Sequence, residues 1–201
     1  MDVDVLPVLS YGCSKGLEAL SLADYFPASR VLGVDVSPEA LAEARANTDS
    51  HRRVSVAVSE PGVILNTAPF GAIFAMSILC RWPQTRVMTD ISDVWKFAEF
   101  QQHVRLLDDA LAPGGVLVLF NSSYSFRDTD VAGNYDMVLA PGLNERSLMI
   151  GDQVRRFDWD GIYRGRSVSW DCIYVKRTEP PEPGRVTIRG GDGKVLGVIA
   201  K

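Results

Sequence analysis

Two apolar stretches near the start of the chain are separated by a segment of about one helix length. The first, Val8-Leu-Ser-Tyr11, runs into the glycine turn Gly12-Cys-Ser-Lys-Gly16, and the second, Val31-Leu-Gly-Val34, runs into Asp35. Between them, apolar side chains recur at helical spacing, at Leu17, Leu20, Leu22, Ala23 and Phe26. The pattern predicts a β-α-β unit with a glycine loop after its first strand and a carboxylate at the end of its second.

The alternation of strand and helix patterns continues along the chain. Ser37-Pro-Glu39 is typical of a helix start, with a serine cap and a proline at the first helical position, and predicts a helix to about Asn47. Apolar runs predict further strands at residues 53–58, 70–79 and 116–120, and residues 59–62 are predicted to form a turn. An amphipathic helix is predicted over residues 94–111, ended by Pro113-Gly-Gly115.

The C-terminal third has shorter elements. Residues 133–151 look irregular, with a short strand at residues 137–139, and residues 154–159 and 167–176 are predicted to form a final antiparallel pair. The sequence thus predicts an α/β fold, a Rossmann-like, doubly wound sheet of seven strands whose last strand is antiparallel and lies beside the fifth. The predicted domain covers residues 1–176. A proline-rich linker at 177–184 and a β-hairpin or tail at 185–201 follow, and the hairpin offers a route to a homo-oligomer.

Composition narrows the range of partners and compartments. The chain has 201 residues, 46% of them hydrophobic, a net charge of −4 and a pI of about 5.2. An acidic chain lacks the basic field that binds phosphates, so no nucleic-acid partner is expected. No apolar run approaches the roughly 20 residues of a membrane span, and the N-terminus lacks a signal-peptide pattern. Three cysteines without C-x-x-C spacing indicate free thiols, so we expect a cytoplasmic protein without a metal centre.

The chemistry of the glycine loop points to a particular ligand. Gly12-x-Ser14-x-Gly16 lacks the third glycine of a dinucleotide loop, and Glu18 in the first helical turn would repel a pyrophosphate but attract an ammonium. Asp35, at the end of the second strand, can accept the two hydroxyls of a ribose. A ligand with adenosine at one end and an amino acid at the other fits both acids, and that ligand is S-adenosylmethionine (SAM).

Longer motifs carry a family resemblance. The segment from Val8 to Asp35 resembles motif I and the following acidic strand of class I SAM-dependent methyltransferases, and Leu111-Ala-Pro-Gly-Gly-Val-Leu117 resembles another signature of that family. More narrowly, Ser10-Tyr-Gly-Cys-Ser-Lys-Gly-Leu-Glu18 is similar to the loop of chemotaxis-receptor methyltransferases, which have serine where most class I enzymes have an acid. The resemblance implies that Glu18 receives the ammonium group of SAM. The receptor-binding subdomain of the chemotaxis enzymes is not recognisable, so no role in chemotaxis is implied.

The predicted cofactor contacts lie in the loop and at the ends of the strands. They are Ser10, Gly12, Cys13, Ser14, Gly16, Glu18, Asp35, Val36, Ser59, Glu60, Met76 and Ser77. Val36 is expected beside the adenine and Ser59 or Glu60 at its exocyclic amine, while Met76 and Ser77 are expected beside the sulfonium. Two alternatives stay open: Asp35 as a mere helix cap, and residues 59–62 as a plain loop.

The acceptor side of the site is less defined. Tyr124 and Arg127, in the polar segment after the fifth predicted strand, are the candidate catalytic or substrate-contacting residues, and His103 reads as a structural residue on an amphipathic helix. No acid–base pair stands out by spacing, so the acceptor atom and the acceptor itself, a small molecule or a protein, stay open. The leading interpretation is a SAM-dependent methyltransferase. The alternatives are a catalytically silent SAM-binding interaction module and, third, a dinucleotide oxidoreductase.

Overall fold

In the computed structural model, residues 5–139, 154–166, 172–179, 185–190 and 194–200 are described. The helices are α1 (Leu17–Tyr25), α2 (Pro38–Thr48), α3 (Pro61–Thr67) and α4 (Phe97–Ala110). The strands are β1 (Val8–Tyr11), β2 (Val31–Asp35), β3 (Val54–Val58), β4 (Phe70–Met76), β5 (Leu111–Phe120), β6 (Tyr135–Leu139), β7 (Arg155–Phe157), β8 (Tyr163–Arg166), β9 (Ile173–Lys176), β10 (Arg185–Gly190) and β11 (Val195–Ala200).

Nine of these strands are hydrogen-bonded in the order β11-β10-β6-β9-β5-β4-β1-β2-β3, and β7 and β8 form a separate pair. The predicted α/β class is therefore confirmed, and the strands β4, β1, β2 and β3 pair in parallel at one end of the sheet. The predicted number of seven strands is wrong. The two additional strands are β10 and β11, which continue the sheet beyond β6.

The chain divides into two compact units. The first comprises Met1–Ala75 and Asp109–Leu117, and the second comprises Met76–Asp108 and Val118–Lys201. In the first unit, β1 pairs in parallel with β2 and β4, and β2 pairs in parallel with β3. A buried cluster joins α1 to the sheet through Val8, Ala19, Leu22, Ala23, Val31 and Ala72. Burial of such aliphatic side chains supplies the main favourable term in folding.

Local signals explain where the first helices begin and end. The Ser37 side chain accepts a hydrogen bond from the Ala40 N–H at 3.2 Å, so the predicted cap of α2 is present. The C-terminal end of α1 is held by Arg53, whose guanidinium donates to the carbonyls of Ala23, Phe26 and Ser29 at 2.7 to 3.1 Å. A cation there satisfies carbonyls that have no partner within the helix.

In the second unit, α4 buries Phe100, Val104 and Leu107 on one face, as its amphipathic pattern predicts. β6 pairs antiparallel with β9 and in parallel with β10, and β10 and β11 form an antiparallel hairpin. The Asp136 carboxylate accepts hydrogen bonds from Arg177 and Arg189, which ties β6 to the segment after β9 and to β10. No helix among the described residues is long and apolar enough to cross a bilayer.

Several predicted elements differ from the observed ones. Ile173–Lys176 pairs with β6, whereas the pair predicted for residues 154–159 and 167–176 does not form, because Arg155–Phe157 pairs with Tyr163–Arg166 instead. The strand predicted at residues 137–139 begins two residues earlier, at Tyr135. Three parts of the predictions lie outside the described residues: 167–171 of the predicted antiparallel pair, 140–151 of the segment predicted to be irregular, and 180–184 of the predicted linker.

Two further corrections concern the first unit. The predicted turn at residues 59–62 is instead the start of α3, with Pro61 at the first helical position. β5 begins at Leu111, directly after α4, rather than at Val116. Gly114 takes a φ of 82°, and a Cβ on Gly115 would lie 3.0 Å from the Gly71 carbonyl oxygen, so glycine allows this segment to run close beside β4.

Candidate cofactor site

The loop between β1 and α1 directs its backbone N–H groups into the protein. Gly12 and Cys13 both donate to the Val34 carbonyl, at 2.8 and 2.9 Å, and Gly16 donates to the Cys13 carbonyl at 2.9 Å. The Ser14 N–H donates to the Asp35 carboxylate at 2.8 Å. A loop that binds a phosphate instead leaves such N–H groups free for the ligand. These four donors are therefore not arranged for an anion.

Glycine is required at two positions of this loop. Gly12 and Gly16 have φ angles of 84° and 82°, in the left-handed region that side chains with a Cβ rarely adopt. A Cβ on Gly16 would also lie 3.0 Å from Thr48 Cγ2, so the loop can approach α2 only without a side chain there. The predicted glycine roles are thus conformational, and they place the end of β1 next to the start of α1.

Glu18 and Ser10 are brought together across the loop. The Ser10 hydroxyl, buried near the end of β1, donates to Glu18 Oε1 at 2.6 Å. Burial raises the pKa of the Glu18 carboxyl, and the hydrogen bond from Ser10 counteracts this rise. No described residue donates a hydrogen bond to Glu18 Oε2. A cationic ligand at this position would satisfy the carboxylate and favour its charged form.

Asp35 has a structural role, and its carboxylate can still accept further hydrogen bonds. Its two carboxylate oxygens accept from the N–H groups of Ser14 and Ser37, at 2.8 and 2.9 Å. The carboxylate therefore joins the glycine loop to the start of α2, but each oxygen can accept a further hydrogen bond. Val36, the next residue, is 73% exposed, which leaves an apolar surface beside the carboxylate.

The segment after β3 is attached to the end of β2. The Ser59 N–H donates to the Asp35 carbonyl at 2.9 Å, and the Ser59 side chain is hydrogen-bonded to Tyr11. Burial raises the pKa of Tyr11, and the bond to Ser59 opposes that rise. Glu60 is exposed at the N-terminus of α3. The sequence did not single out Tyr11, whose buried side chain joins the end of β1 to the segment after β3.

The Cys13 side chain packs against β2. A Cβ on Gly33 would lie 3.0 Å from Cys13 Sγ, and Cys13 is buried. Burial first, and then the charges of Asp35 and Glu18, raise the pKa of the thiol to about 11. The thiol is therefore protonated at neutral pH and is not a nucleophile.

Met76 and Ser77 belong to the second unit. Met76 ends β4, and Ser77 follows with a left-handed φ of 59°. The Ser77 N–H donates to the Phe120 carbonyl at 2.8 Å, and the Asn121 amide, itself at a φ of 56°, donates to Ser77 Oγ at 3.1 Å. Two non-glycine residues in this conformation mark a strained segment of the kind that is frequent at functional sites.

Tyr124 occupies the interior of the second unit. It is 1% exposed, its ring contacts those of Phe97 and Phe100, and its hydroxyl donates to the Trp95 carbonyl. Burial raises its pKa to about 12, so its hydroxyl is a poor general base. Arg127 lies half-buried in a short 3₁₀ helix, Phe126–Asp128. The contacts of Tyr124 favour a packing role over contact with substrate.

His103 also has structural surroundings. Its ring lies 5.7 Å from that of Trp95, and burial, followed by the nearby charge of Arg81, lowers the pKa of the imidazole. The imidazole is therefore mostly neutral at physiological pH. This agrees with a structural role on α4.

A comparison with protein families decides the family. Residues 8–115, more than half of the chain, match a family model described as a methyltransferase domain. The chain belongs to this methyltransferase family. The matched segment begins at β1 and includes the glycine loop, Glu18, Asp35 and the start of β5.

Solved structures resemble parts of the methyltransferase chain. PKMT2 from Rickettsia typhi is 21% identical with a TM-score of 0.43, and the alignment covers 57% of this chain and 20% of that protein. The S-adenosylmethionine-dependent methyltransferase SibL is 23% identical with a TM-score of 0.44, covering 61% of this chain and 33% of SibL. This chain therefore spans no more than about a third of either protein. No curated protein matches the sequence.

Proposed function

We propose that the chain is a SAM-dependent methyltransferase whose cofactor binds at the loop between β1 and α1. The observation that carries the proposal is the polarity of the loop: four N–H groups are satisfied internally, and two carboxylates lie beside it, Glu18 in the first turn of α1 and Asp35 at the end of β2. SAM carries a positive sulfonium and a positive ammonium beside one carboxylate, whereas NAD carries a negative pyrophosphate. The Glu18 carboxylate at the start of α1 therefore favours SAM over a dinucleotide, whereas Asp35 suits the ribose of either ligand.

Each end of SAM has a proposed partner. The Glu18 carboxylate would receive the ammonium, the role implied by the resemblance to chemotaxis-receptor methyltransferases, and the bond from Ser10 orients that carboxylate. Asp35 would accept the ribose hydroxyls, with Val36 beside the adenine and Ser59 or Glu60 at its exocyclic amine. The residues of the loop that stay predicted cofactor contacts are Ser10, Gly12, Cys13, Ser14 and Gly16, and Met76 and Ser77 stay predicted contacts of the sulfonium region.

When bound, SAM supplies a methyl group on an activated sulfonium. The chain has to hold the cofactor, place the acceptor in line with the methyl–sulfur bond and exclude water, so rate enhancement comes mainly from positioning. A general base is needed only for an acceptor that starts protonated. The acceptor is a small molecule or a protein side chain, and Arg127 remains a candidate to contact it.

Methyl transfer from labelled SAM tests the function. The purified protein is incubated with methyl-labelled SAM and cell extract, split into protein and small-molecule fractions, and compared with its own Asp35→Ala variant. Label that enters either fraction only with the wild-type protein supports a methyltransferase and identifies the acceptor class. Binding of SAM without any transfer would favour a silent SAM-binding module instead.

Association of two copies through the C-terminal hairpin stays a prediction. β11 is a six-residue strand at the edge of the sheet, with Val195 and Leu196 more than half exposed, and an edge strand can pair with the same strand of a second copy. The measurement is the molar mass by light scattering. A mass of 22.1 kDa, that of one copy, at every protein concentration tested would contradict the prediction.

A further inference from the structure

The peptide group between Lys15 and Gly16 is fixed at both of its polar atoms. The Asn47 side-chain amide, from the last turn of α2, donates to the Lys15 carbonyl at 3.0 Å. At the opposite edge of the same peptide group, the Gly16 N–H donates to the Cys13 carbonyl at 2.9 Å. Because a peptide group is planar, two opposed hydrogen bonds determine its orientation.

The same face of α2 packs against Gly16. A Cβ built on Gly16 would lie 3.0 Å from Thr48 Cγ2 and 3.2 Å from Ala44 Cβ, so the helix surface and the loop backbone are in contact. The Thr48 hydroxyl donates to the Ala44 carbonyl at 2.8 Å, which leaves its methyl group facing the glycine. The loop therefore rests on α2 and is held there by Asn47.

This contact controls where α1 begins. Gly16 is the N-cap of α1, in a left-handed conformation and without a side chain to cap the helix, and its carbonyl accepts the first helical bond, from Leu20 N, at 3.1 Å. Glu18 lies two residues further on. A rotation of the Lys15–Gly16 peptide would therefore tilt the first turn of α1 and move the Glu18 carboxylate relative to Ser10.

We propose that Asn47 is a positioning residue for the ammonium end of the cofactor, acting through the Lys15–Gly16 peptide on Glu18. The inference rests on the proposed function, because it assumes that Glu18 binds SAM. Both the hydrogen bond from Asn47 and the neighbouring ion pair of Lys15 and Glu43 at 2.8 Å are exposed to solvent, but the ion pair ends on the Lys15 side chain, whereas the Asn47 amide binds the Lys15 backbone carbonyl. Asn47 is the group that orients the backbone.

Calorimetric titration of Asn47→Ala with SAM and with adenosine tests the proposal. Alanine favours the helical conformation, so α2 itself is not weakened. We expect the SAM dissociation constant to rise at least threefold and that of adenosine, which lacks the ammonium, to stay within twofold of wild type. Asn47→Asp, which keeps the shape but loses the donor, is expected to act in the same direction, although its added negative charge alone would attract SAM.

The matched control is Glu43→Gln, which removes the neighbouring ion pair and keeps Asn47. It is expected to bind both ligands as wild type does. If wild type binds SAM but both Asn47 variants keep the wild-type ratio of SAM to adenosine affinity, the positioning role is wrong and the proposed function stands. If wild type fails to bind SAM, the proposed function is overturned, and the role of Asn47 with it.

Discussion

The Glu18 carboxylate is held where its charge is unfavourable in the free protein. Burial raises its pKa, so protonation favours the folded state at low pH, and this contribution to stability is lost as the pH rises through the raised value. At neutral pH the ionised group therefore costs stability, which the Ser10 hydrogen bond only partly offsets. Such a cost is common at binding sites, where the ligand supplies the missing counter-charge.

Replacing Asp35 should weaken the binding of every ligand that carries the ribose, SAM and adenosine alike. We expect Asp35→Ala to raise the dissociation constants of SAM and adenosine at least tenfold, because losing the partner of a buried polar group costs about 1–3 kcal/mol. The substitution also frees the Ser14 N–H that fixes the loop. The measurement is calorimetric titration, with Asp24→Ala, an exposed carboxylate on α1, as the control for net charge.

Unchanged affinities in Asp35→Ala would assign Asp35 to capping alone. In that case its only roles would be the bonds to Ser14 and Ser37, and the ribose would have to bind elsewhere. A loss of SAM affinity with no change for adenosine would equally contradict the placement, because both ligands carry the same ribose.

At the scale of elements, Arg53 joins β3 to the end of α1. Its guanidinium donates to three carbonyls, so Arg53→Met, which keeps the apolar stem, should lower the free energy of unfolding by about 1–3 kcal/mol. Urea unfolding measures this change. Arg52→Met, at the exposed neighbouring position, is the control and should change stability by less than about 0.5 kcal/mol. Equal stability of the two variants would show that Arg53 does not hold α1.

The elements that the sequence predicted well are those with local signals. The serine cap and proline of α2, the glycines of the first loop and the apolar runs of β1, β2 and β4 act within a few residues, and the structure has them in place. The pairing of β9 with β6 could not be predicted, since it joins segments about 40 residues apart and periodicity carries no information on partners. α3 was missed because seven residues show too little helical period.

The same distinction holds for the candidate site. The closeness of Glu18 and Asp35 to the loop follows from chain order, because Glu18 lies in the first turn of the helix after the loop and Asp35 ends the next strand. The inward orientation of Cys13, the bond between Tyr11 and Ser59, and the burial of Tyr124 depend on packing between distant segments. Residue type and spacing alone do not show whether these side chains point into the core or towards the loop.

Across the chain, the residues proposed to bind the cofactor's ammonium and ribose lie inside the segment that matches the methyltransferase family. Residues 8–115 carry the methyltransferase match, and the glycine loop, Glu18 and Asp35 all belong to the first compact unit. The second unit holds a two-stranded β7–β8 sheet fastened to the segment after β4, where Tyr163 N donates to the Thr89 carbonyl and Ile91 N donates to the Gly161 carbonyl.

Calorimetric titration of wild type and Glu18→Gln with SAM and adenosine decides whether the β1–α1 loop recognises a cation through Glu18. Glutamine keeps the size of the side chain and one oxygen that can accept from Ser10, but it removes the charge. We expect Glu18→Gln to bind SAM at least tenfold more weakly than wild type, to bind adenosine as wild type does, and to melt no lower without ligand, because burial disfavours the charge that the substitution removes. An equal loss for both ligands, or no loss for either, would contradict cation recognition through Glu18.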